Sequence, residues 1–369
     1  MKLVSPFLKH VAYPALAMTG HLRRHAGSGP AIVTYHGVMP AGYSGTDPLL
    51  DGSLVTPASL SRQLRLLQTH YKIISPQQFR DWYEGNQPLP PRAVLLTCDD
   101  GLQNTLTDML PILQEYGASC LFFVTGASIE DTCSMLWYEE LYLMFLAAPK
   151  AFAFDLQERG LRVIVGAEGE KRSQWWKLVK ELSRYRWEDR QVMLSMVPMR
   201  LGLADSWKSE YVEGTAKARR FWLLTASQLG QVSRAGMTVG AHTSSHPVLS
   251  QMTEESAHAE ISQSRVVLER LLQRDIWAFA YPFGDPDSVT PREVKLAEKS
   301  GFSCAFMNFG GGFGADMARF AIPRVHVTSD MSLGEFEAHL SGFHRSLRRR
   351  WIRPQETMAI SNQATEIGH

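Results

Sequence analysis

The sequence predicts an α/β fold, and three observations support this prediction. Seven short runs rich in apolar and β-branched residues recur along the 369-residue chain. Most of these runs are apolar on both faces, which is typical of strands in a parallel sheet covered by helices. Helical patterns lie between many of the runs. This alternation leaves two architectures open, an α/β barrel with insertions and a doubly wound sheet.

The predicted elements follow in chain order. The strands are residues 31–35, 93–98, 120–125, 237–241, 277–281, 303–307 and 322–327. Thr253, followed by Glu254 and Glu255, predicts a helix start with an N-cap and acids in the first turn. Ala257, Ile261, Leu268 and Leu272 mark the apolar face of that helix. Pro111 predicts the start of another helix.

Composition divides the chain into four predicted parts. Residues 1–30 form an N-terminal arm, residues 31–128 and 212–330 form the α/β domain, and residues 331–369 form a C-terminal helix with a basic tail. Residues 129–211 contain five of the nine tryptophans, together with alternating charge, and predict a mostly helical insertion. These tryptophans either pack the insertion or stack on sugar rings.

Charge and cysteine content narrow the function classes. Lys and Arg total 38 against 37 Asp and Glu, so we do not expect a globally basic nucleic-acid binder. Cys98, Cys120 and Cys304 lie in apolar runs, and with Cys133 they show no CxxC spacing, which indicates a reducing compartment. We therefore predict a cytoplasmic location.

The two ends of the chain predict peripheral membrane contact at most. The apolar N-terminus contains Lys2, Lys9 and two prolines, and no run reaches the roughly 18–20 apolar residues of a spanning helix. No small-residue cleavage site follows it, so a cleaved signal peptide is the lesser alternative. The arginine-rich tail at residues 344–353 is either a solvated helix end or a contact with anionic headgroups or with a phosphorylated substrate carrier.

Two adjacent carboxylates, Asp99 and Asp100, end one predicted strand. Two acids beside an apolar strand are costly unless they face water, a cation or each other. Their repulsion favours different roles, in which one binds a metal and its neighbour stays free as a base. Asp-Asp-Gly is also a common turn, so the motif alone leaves the plain turn open.

Two histidines, His242 and His246, follow a second predicted strand at a spacing of four residues. A tight turn or helix would let both bind one cation. With one aspartate they form a two-histidine, one-carboxylate set that leaves positions for water. Such a site lowers the pKa of bound water and polarises a carbonyl, and the second aspartate then accepts the proton.

Further polar residues end the first and last predicted strands. A barrel places its site at the carboxyl ends of its strands, so His36, Arg324 and His326 are expected near the mouth. His36 and His326 are therefore candidate catalytic residues beside Asp99. Each also has a plain interpretation as a structural residue.

The loop at residues 279–284, Phe-Ala-Tyr-Pro-Phe-Gly, borders the same predicted mouth. Its backbone N–H groups could stabilise an oxyanion. Tyr281, Phe283 and Arg324 are accordingly the candidate substrate-binding residues. As a plain turn the loop would carry no function.

In this order, the motifs resemble those of the polysaccharide deacetylase family, the nodulation-type chitooligosaccharide deacetylase domain of carbohydrate esterase family four. Residues 97–101, Thr-Cys-Asp-Asp-Gly, resemble its first motif, in which phenylalanine usually replaces the cysteine. Residues 242–246, His-Thr-Ser-Ser-His, match its second motif. The resemblance covers residues 31–43 and 93–327 apart from the insertion. The most similar subgroup is associated with surface-polysaccharide synthesis.

The resemblance implies a distorted (β/α)₇-type barrel and a specific reaction. Asp100, His242 and His246 would hold a divalent metal, most often Zn²⁺ with Co²⁺ as the alternative, and Asp99 would be the general base. Water on the metal would attack the acetamide carbonyl of a polysaccharide or lipid-linked glycan. The Phe283 amide would help to hold the oxyanion.

Two departures from the family pattern affect this interpretation. Ala280 occupies the place of a third-motif arginine that orients the base. No clean leucine-x-histidine pattern supplies the general acid, which leaves His36 and His326 as candidates. The same site would serve an O-acetyl esterase or a small-amide hydrolase, and without activity the chain would be a glycan-binding protein.

Overall fold

The computed structural model describes residues 6–24, 27, 29–126, 134–156 and 160–351. Within them ten strands form: β1 Ala31–Tyr35, β2 Lys72–Ile74, β3 Ala93–Cys98, β4 Leu121–Val124, β5 Phe152–Leu156, β6 Leu161–Val165, β7 Thr238–Ala241, β8 Ala278–Ala280, β9 Cys304–Gly310 and β10 Ile322–His326. The α-helices are α1 Tyr13–Met18, α2 His21–Arg24, α3 Pro48–Asp51, α4 Pro57–His70, α5 Pro76–Tyr83, α6 Leu110–Glu115, α7 Trp137–Ala147, α8 Lys171–Leu182, α9 Trp187–Arg200, α10 Ala216–Phe221, α11 Ala226–Arg234, α12 Glu254–Leu272, α13 Pro291–Lys299, α14 Leu333–Leu340 and α15 Phe343–Trp351.

Seven parallel strands close into a barrel. Their order is β1, β10, β9, β8, β7, β4 and β3, and β3 pairs back with β1. β2 lies outside this ring and pairs with the first half of β3. The closure excludes the doubly wound sheet and confirms the predicted (β/α)₇-type barrel.

All seven predicted strands are present, with small shifts at their ends. β9 continues three residues beyond the predicted end at Met307, because Gly310 pairs with Arg324 of β10. The predicted helix start at Thr253 is confirmed, because its hydroxyl accepts a hydrogen bond from the Ser256 N–H at 3.3 Å. Pro111 lies in a helix as predicted, but that helix starts earlier, since residues 103–109 are already helical and continue into α6.

Alternate residues along the barrel strands face two different cores. Leu95 of β3 and Ala280 of β8 belong to the cluster inside the barrel, with their alternate neighbours along each strand. Leu96 and Tyr281 belong to the cluster between the strands and the surrounding helices. Because side chains alternate along a strand, residues 97 and 99 continue the inward series of β3.

Three cysteines are buried in these cores, as predicted. Cys98, Cys120 and Cys304 are free and buried. Cys133 lies outside the described residues.

The segment between β4 and β7, hereafter the β4–β7 segment (residues 134–156 and 160–221), has a core of its own. It contains α7 to α10 and an antiparallel hairpin of β5 and β6, which the sequence analysis did not predict. The Arg220 guanidinium at its end is fully buried and bonds both oxygens of Glu139, together with Asp51 and the Leu50 carbonyl. A buried charge needs this complete set of partners, so the network fixes α7 against α3.

The N-terminal helix, residues 6–18 including α1 and the π-helical stretch Leu8–Ala12 before it, packs on the far end of the chain. Tyr13 is buried, and its hydroxyl lies 2.6 Å from Nδ1 of His344. Arg23 of α2 pairs with Glu337 of α14 at 2.6 Å. No helix among the described residues is both long enough and apolar enough to span a membrane.

Candidate active site

The predicted catalytic residues meet at the carboxyl ends of the barrel strands. Asp99 and Asp100 follow β3, His242 follows β7, and His36 follows β1. Arg324 and His326 lie at the end of β10 in the inward series of that strand. The barrel therefore brings together residues that are up to 290 positions apart in the sequence.

Asp99 is held by a buried arginine. Nη1 and Nη2 of Arg324 donate to the two Asp99 carboxylate oxygens at 2.7 and 2.6 Å. Nη1 also donates to the Thr97 hydroxyl at 3.0 Å, and Nε donates to the Met307 carbonyl at 2.8 Å. Arg324 is fully buried, so its donors are directed at protein groups and not at a substrate.

This geometry corrects the expectation that Arg324 binds substrate and the expectation that no arginine contacts the candidate base. Arg324 was expected to bind substrate, but its paired contact with Asp99 makes it the residue that orients the candidate base. This is the contact with the candidate base that was expected of the third-motif arginine, whose place Ala280 occupies. Ala280 itself lies inside the barrel, with no exposed surface.

Asp99 is ionised in this setting. Burial alone would raise the pKa of its carboxyl, but the Arg324 guanidinium outweighs burial and holds the pKa below its usual range. A carboxylate has about four lone-pair directions, so Asp99 can still accept a proton or a hydrogen bond while Arg324 is bound.

Asp100 faces the two histidines and not Arg324. Its Oδ1 lies 3.3 Å from Nε2 of His246 and 3.6 Å from Nε2 of His242. All three side chains are buried, and their ligand atoms lie within 4.8 Å of one another. Burial alone would raise the pKa of the Asp100 carboxyl, but the imidazoles outweigh burial and hold it well below its usual range.

The donor chemistry of this cluster fits a divalent metal. Nδ1 of His242 lies 2.7 Å from the Ala280 carbonyl, which can only accept, so Nδ1 carries a proton and Nε2 is the atom placed to bind a metal beside Asp100. Burial lowers the pKa of His246, which favours the neutral form that binds metals. One carboxylate and two neutral imidazoles form a set typical of zinc and related ions.

The turns that carry these ligands are strained. Asp100, Thr243, His246 and Phe283 all have positive φ angles, of 76°, 62°, 55° and 60°. Non-glycine residues seldom adopt this region, and such strain clusters at functional sites. The left-handed residues turn the chain sharply at the strand ends, so His242 and His246 reach the same point without a helix.

The β4–β7 segment stabilises the second-motif turn. Arg190 is fully buried, and its Nη1 donates to the Ser245 hydroxyl at 3.0 Å. Glu260 of α12 accepts from the Ser245 N–H at 2.8 Å and from the Ser245 hydroxyl. Trp137 donates from Nε1 to the His246 carbonyl at 3.1 Å. Arg190 was not among the predicted site residues, because only the folded chain places it beside Ser245, 55 positions away.

His36 and His326 form a stacked pair. Their ring centroids are 4.8 Å apart with an interplanar angle of 30°. Burial, followed by the charge of His36, lowers the pKa of His326 to about 3. His326 is therefore neutral near pH 7.

Several buried polar atoms near the mouth have no hydrogen-bond partner among the described residues. They belong to His36 Nδ1, Asn104, His246 Nδ1, Asn308 Oδ1 and His326 Nε2. Buried polar groups are usually paired, so a group of unpaired ones is typical of a binding site. Asn104 was not a predicted site residue. It lies against Gly37, where an added Cβ would be 2.2 Å from its Oδ1.

Tyr281 does not reach the mouth, which corrects its prediction as a substrate-binding residue. Its side chain is fully buried in the outer core, and its hydroxyl donates to the Phe320 carbonyl at 2.9 Å. Strand alternation explains this position, because Tyr281 continues the outward series of β8. Phe283, two residues on, is half-buried, and its ring lies 4.8 Å from that of His246.

A parallel barrel with a buried base and an adjacent carboxylate–imidazole cluster at its mouth defines a class of barrel hydrolase with a candidate metal centre. The model of one family, described as polysaccharide deacetylase, matches residues 86–188 and 204–305. This match covers more than half of the sequence. The chain belongs to the polysaccharide deacetylase family, which confirms the predicted class.

Relatives with curated descriptions agree with this family. Poly-beta-1,6-N-acetyl-D-glucosamine N-deacetylase of Escherichia coli (strain K12) is 24% identical over 285 residues, which are 76% of this chain and 35% of that protein. The Bacillus subtilis (strain 168) protein YxkH is 26% identical over 117 residues, which are 32% of this chain and 41% of that protein. The chain thus matches less than half the length of either relative.

Solved structures share the fold. The Streptococcus pyogenes deacetylase PplD aligns with a TM-score of 0.52 and 17% identity over 84% of this chain and 97% of that one. IcaB from Ammonifex degensii aligns with a TM-score of 0.52 and 18% identity over 86% and 98%.

The two aspartates predict different effects on metal affinity. Asp100→Asn should weaken Zn²⁺ binding by about 100-fold or more, because changes outside the ligand shell alone cost about 10–100-fold. Asp99→Asn is the matched control, since the Asp99 oxygens face Arg324, and it should keep most of the affinity. Chelator-competition titrations measure both. Unchanged Zn²⁺ affinity in Asp100→Asn would contradict the ligand assignment.

Proposed function

We propose that this protein is a metal-dependent hydrolase that removes N-acetyl groups from a polysaccharide or a lipid-linked glycan. The observation that carries the proposal is the separation of the two aspartates. One carboxylate is held by Arg324 and the other faces two imidazoles. Asp99 is therefore available as the base and Asp100 as a metal ligand, which are the two roles that metal-assisted amide hydrolysis needs.

The chain's own residues supply the proton transfers and the orientation of the substrate. A divalent ion on Asp100, His242 and His246, most simply Zn²⁺, would lower the pKa of a bound water and polarise the acetamide carbonyl. Asp99, ionised and held by two hydrogen bonds from Arg324, accepts the proton of the attacking water. Arg324 keeps the Asp99 carboxylate in one orientation throughout.

His36 is the proposed general acid. The leaving amine must receive a proton, and His326 is neutral near pH 7 because its pKa is lowered to about 3. His36 lies close enough to both aspartates for its charge to lower their pKa values, after the larger effects of burial and the bound partners. Nδ1 of His36 has no hydrogen-bond partner among the described residues.

The Phe283 amide is the proposed oxyanion donor. Its N–H makes no hydrogen bond to a described residue, whereas the flanking Gly284 N–H donates to the Pro282 carbonyl. Phe283 has a left-handed backbone, with a φ of 60°, and its ring lies beside the ring of His246. A fixed donor at this place stabilises developing charge on the carbonyl oxygen.

The reaction predicts acetate release that depends on Asp99. The full chain with Zn²⁺ or Co²⁺ should release acetate from N-acetylglucosamine oligosaccharides, and Asp99→Asn should lower kcat by about 10²–10⁴-fold because the base is lost. Matched O-acetylated substrates separate a deacetylase from an esterase. Binding of the same oligosaccharides without acetate release would favour a glycan-binding protein. A fully active Asp99→Asn variant would contradict the role of Asp99.

The stacked histidines predict unequal effects of substitution. His36→Asn should lower kcat by about 100-fold or more, because the leaving amine would lose its proton donor. His326→Asn, the matched control, should stay within about tenfold of the wild type. The measurement is the pH profile of kcat for both variants. The reverse order of effects would assign the acid to His326.

We also propose that the N-terminal helix contacts a membrane surface. Phe7, Val11 and Met18 are 64%, 53% and 87% exposed. Their spacing of four and seven residues places them on one helical face, opposite the buried Tyr13. An exposed apolar stripe beside basic residues is typical of interfacial helices. Lys2 and the arginine-rich tail supply such charge in the sequence, but their side chains lie largely outside the described residues.

The cytoplasmic location stays a prediction.

Vesicle binding tests this surface. Replacing Phe7, Val11 and Met18 together by serine should weaken partitioning onto phosphatidylglycerol vesicles by about tenfold or more, since buried apolar area drives it. The control replaces Val192, Met199 and Val266, which are equally exposed elsewhere, and should bind as the wild type does. Equal binding by both triple variants would contradict the proposal.

A further inference from the structure

An open cleft of about 480 Å³ adjoins the candidate active site. Its lining residues are Leu49, Gly169, Arg172, Ser173, Trp175, Trp176 and Phe283. α8 and the turn before it supply most of this lining, α3 supplies Leu49, and the loop after β8 supplies Phe283. The cleft therefore lies between the β4–β7 segment and the barrel mouth.

Phe283 connects the cleft to the reaction site. Its ring lies 4.8 Å from the ring of His246 on one side and 5.2 Å from the ring of Trp176 on the other. The cleft thus begins one aromatic ring away from the candidate metal ligands. A chain-like substrate whose reacting group lies at His246 would extend past Phe283 into the cleft.

The two tryptophans of the cleft differ in whether their rings and N–H groups can contact a ligand. Trp175 is buried, and its Nε1 donates to the Tyr138 carbonyl at 2.7 Å, so it forms part of the wall. Trp176 is half-buried, and its Nε1 donates to no described residue. Trp176 therefore lines the cleft with a partly exposed ring, and no described residue uses its N–H.

Arg172 adds a second unused donor. Its side chain is exposed on the first turn of α8, and it makes no hydrogen bond or ion pair with any described residue. The cleft combines an aromatic surface with N–H donors, whereas a purely apolar groove would offer no donors. An aromatic ring suits the apolar face of a pyranose, and N–H donors suit its hydroxyl and acyl oxygens.

We propose that this cleft is a second sugar subsite, in which Trp176 stacks on the ring adjoining the acetylated sugar and Arg172 bonds its oxygens. The inference rests on the proposed deacetylase function and specifies its substrate class. The substrate is a glycan chain of two or more sugars, and a free monosaccharide leaves the subsite unused. Trp176 is on this view a residue that determines specificity for chain length.

Calorimetric binding to oligosaccharides of increasing length tests this subsite without requiring turnover. The probes are β-1,6-linked and β-1,4-linked N-acetylglucosamine oligomers from the monomer to the tetramer, added to the full chain. The wild type should bind the dimer and longer oligomers of one series more tightly than the monomer. Trp176→Ala should weaken binding of the longer oligomers by about fivefold to tenfold and leave the monomer unchanged.

Two control variants separate stacking from general damage. Trp176→Phe keeps an aromatic surface and should retain most of the affinity. Trp207→Ala removes another half-buried tryptophan of the same segment, one that packs against Lys208 outside the cleft, and should bind as the wild type does. Thermal melting of each variant shows whether the fold is intact.

The outcomes distinguish the subsite from the reaction. Length-dependent binding that Trp176→Ala removes supports the subsite even if no acetate is released, in which case only the proposed function fails. Acetate release with the same length dependence in Trp176→Ala and the wild type overturns the subsite and leaves the function intact. Equal weakening of monomer and tetramer, or no length dependence in either series, also overturns it.

Discussion

The buried contact between Arg324 and Asp99 is the interaction on which the rest of the site depends. Arg324 lies on β10. Its guanidinium bonds Asp99 and Thr97 at the end of β3, and it also bonds the Met307 carbonyl of β9. Burying two charges is costly, and removing one partner of such a pair typically costs about 3–5 kcal/mol. The same side chain therefore links three strands of the barrel and orients the candidate base.

The opposite half of the site depends on strained turns that several partners hold in place. Left-handed residues direct His242 and His246 toward Asp100, and their strain persists only where surrounding contacts determine the conformation. Ser245, between the histidines, is held by Arg190 from one side and by Glu260 from the other. The candidate metal ligands thus combine a strained backbone with a rigid support.

Local patterns in the sequence predicted the barrel strands and the two aspartate and histidine motifs, because those residues are neighbours along the chain. The role of Arg324 could not be predicted this way, since it depends on which strands lie beside each other when the barrel closes. Tyr281 was misassigned although a signal existed: strand alternation places it on the opposite side from Ala280. The β5–β6 hairpin likewise shows alternating burial, which a search for period-two patterns could have found.

The contacts of Arg190 and Trp137 have a consequence for how this barrel can vary. Both residues belong to the β4–β7 segment, and both bond the turn that carries His246. A shortened chain that joined β4 directly to β7 would keep every residue of the two motifs, yet it would leave Ser245 and the His246 carbonyl without these bonds. The segment therefore supports the turn that carries His246, and a change in its length that displaced Arg190 or Trp137 would alter the candidate metal ligands without touching either motif.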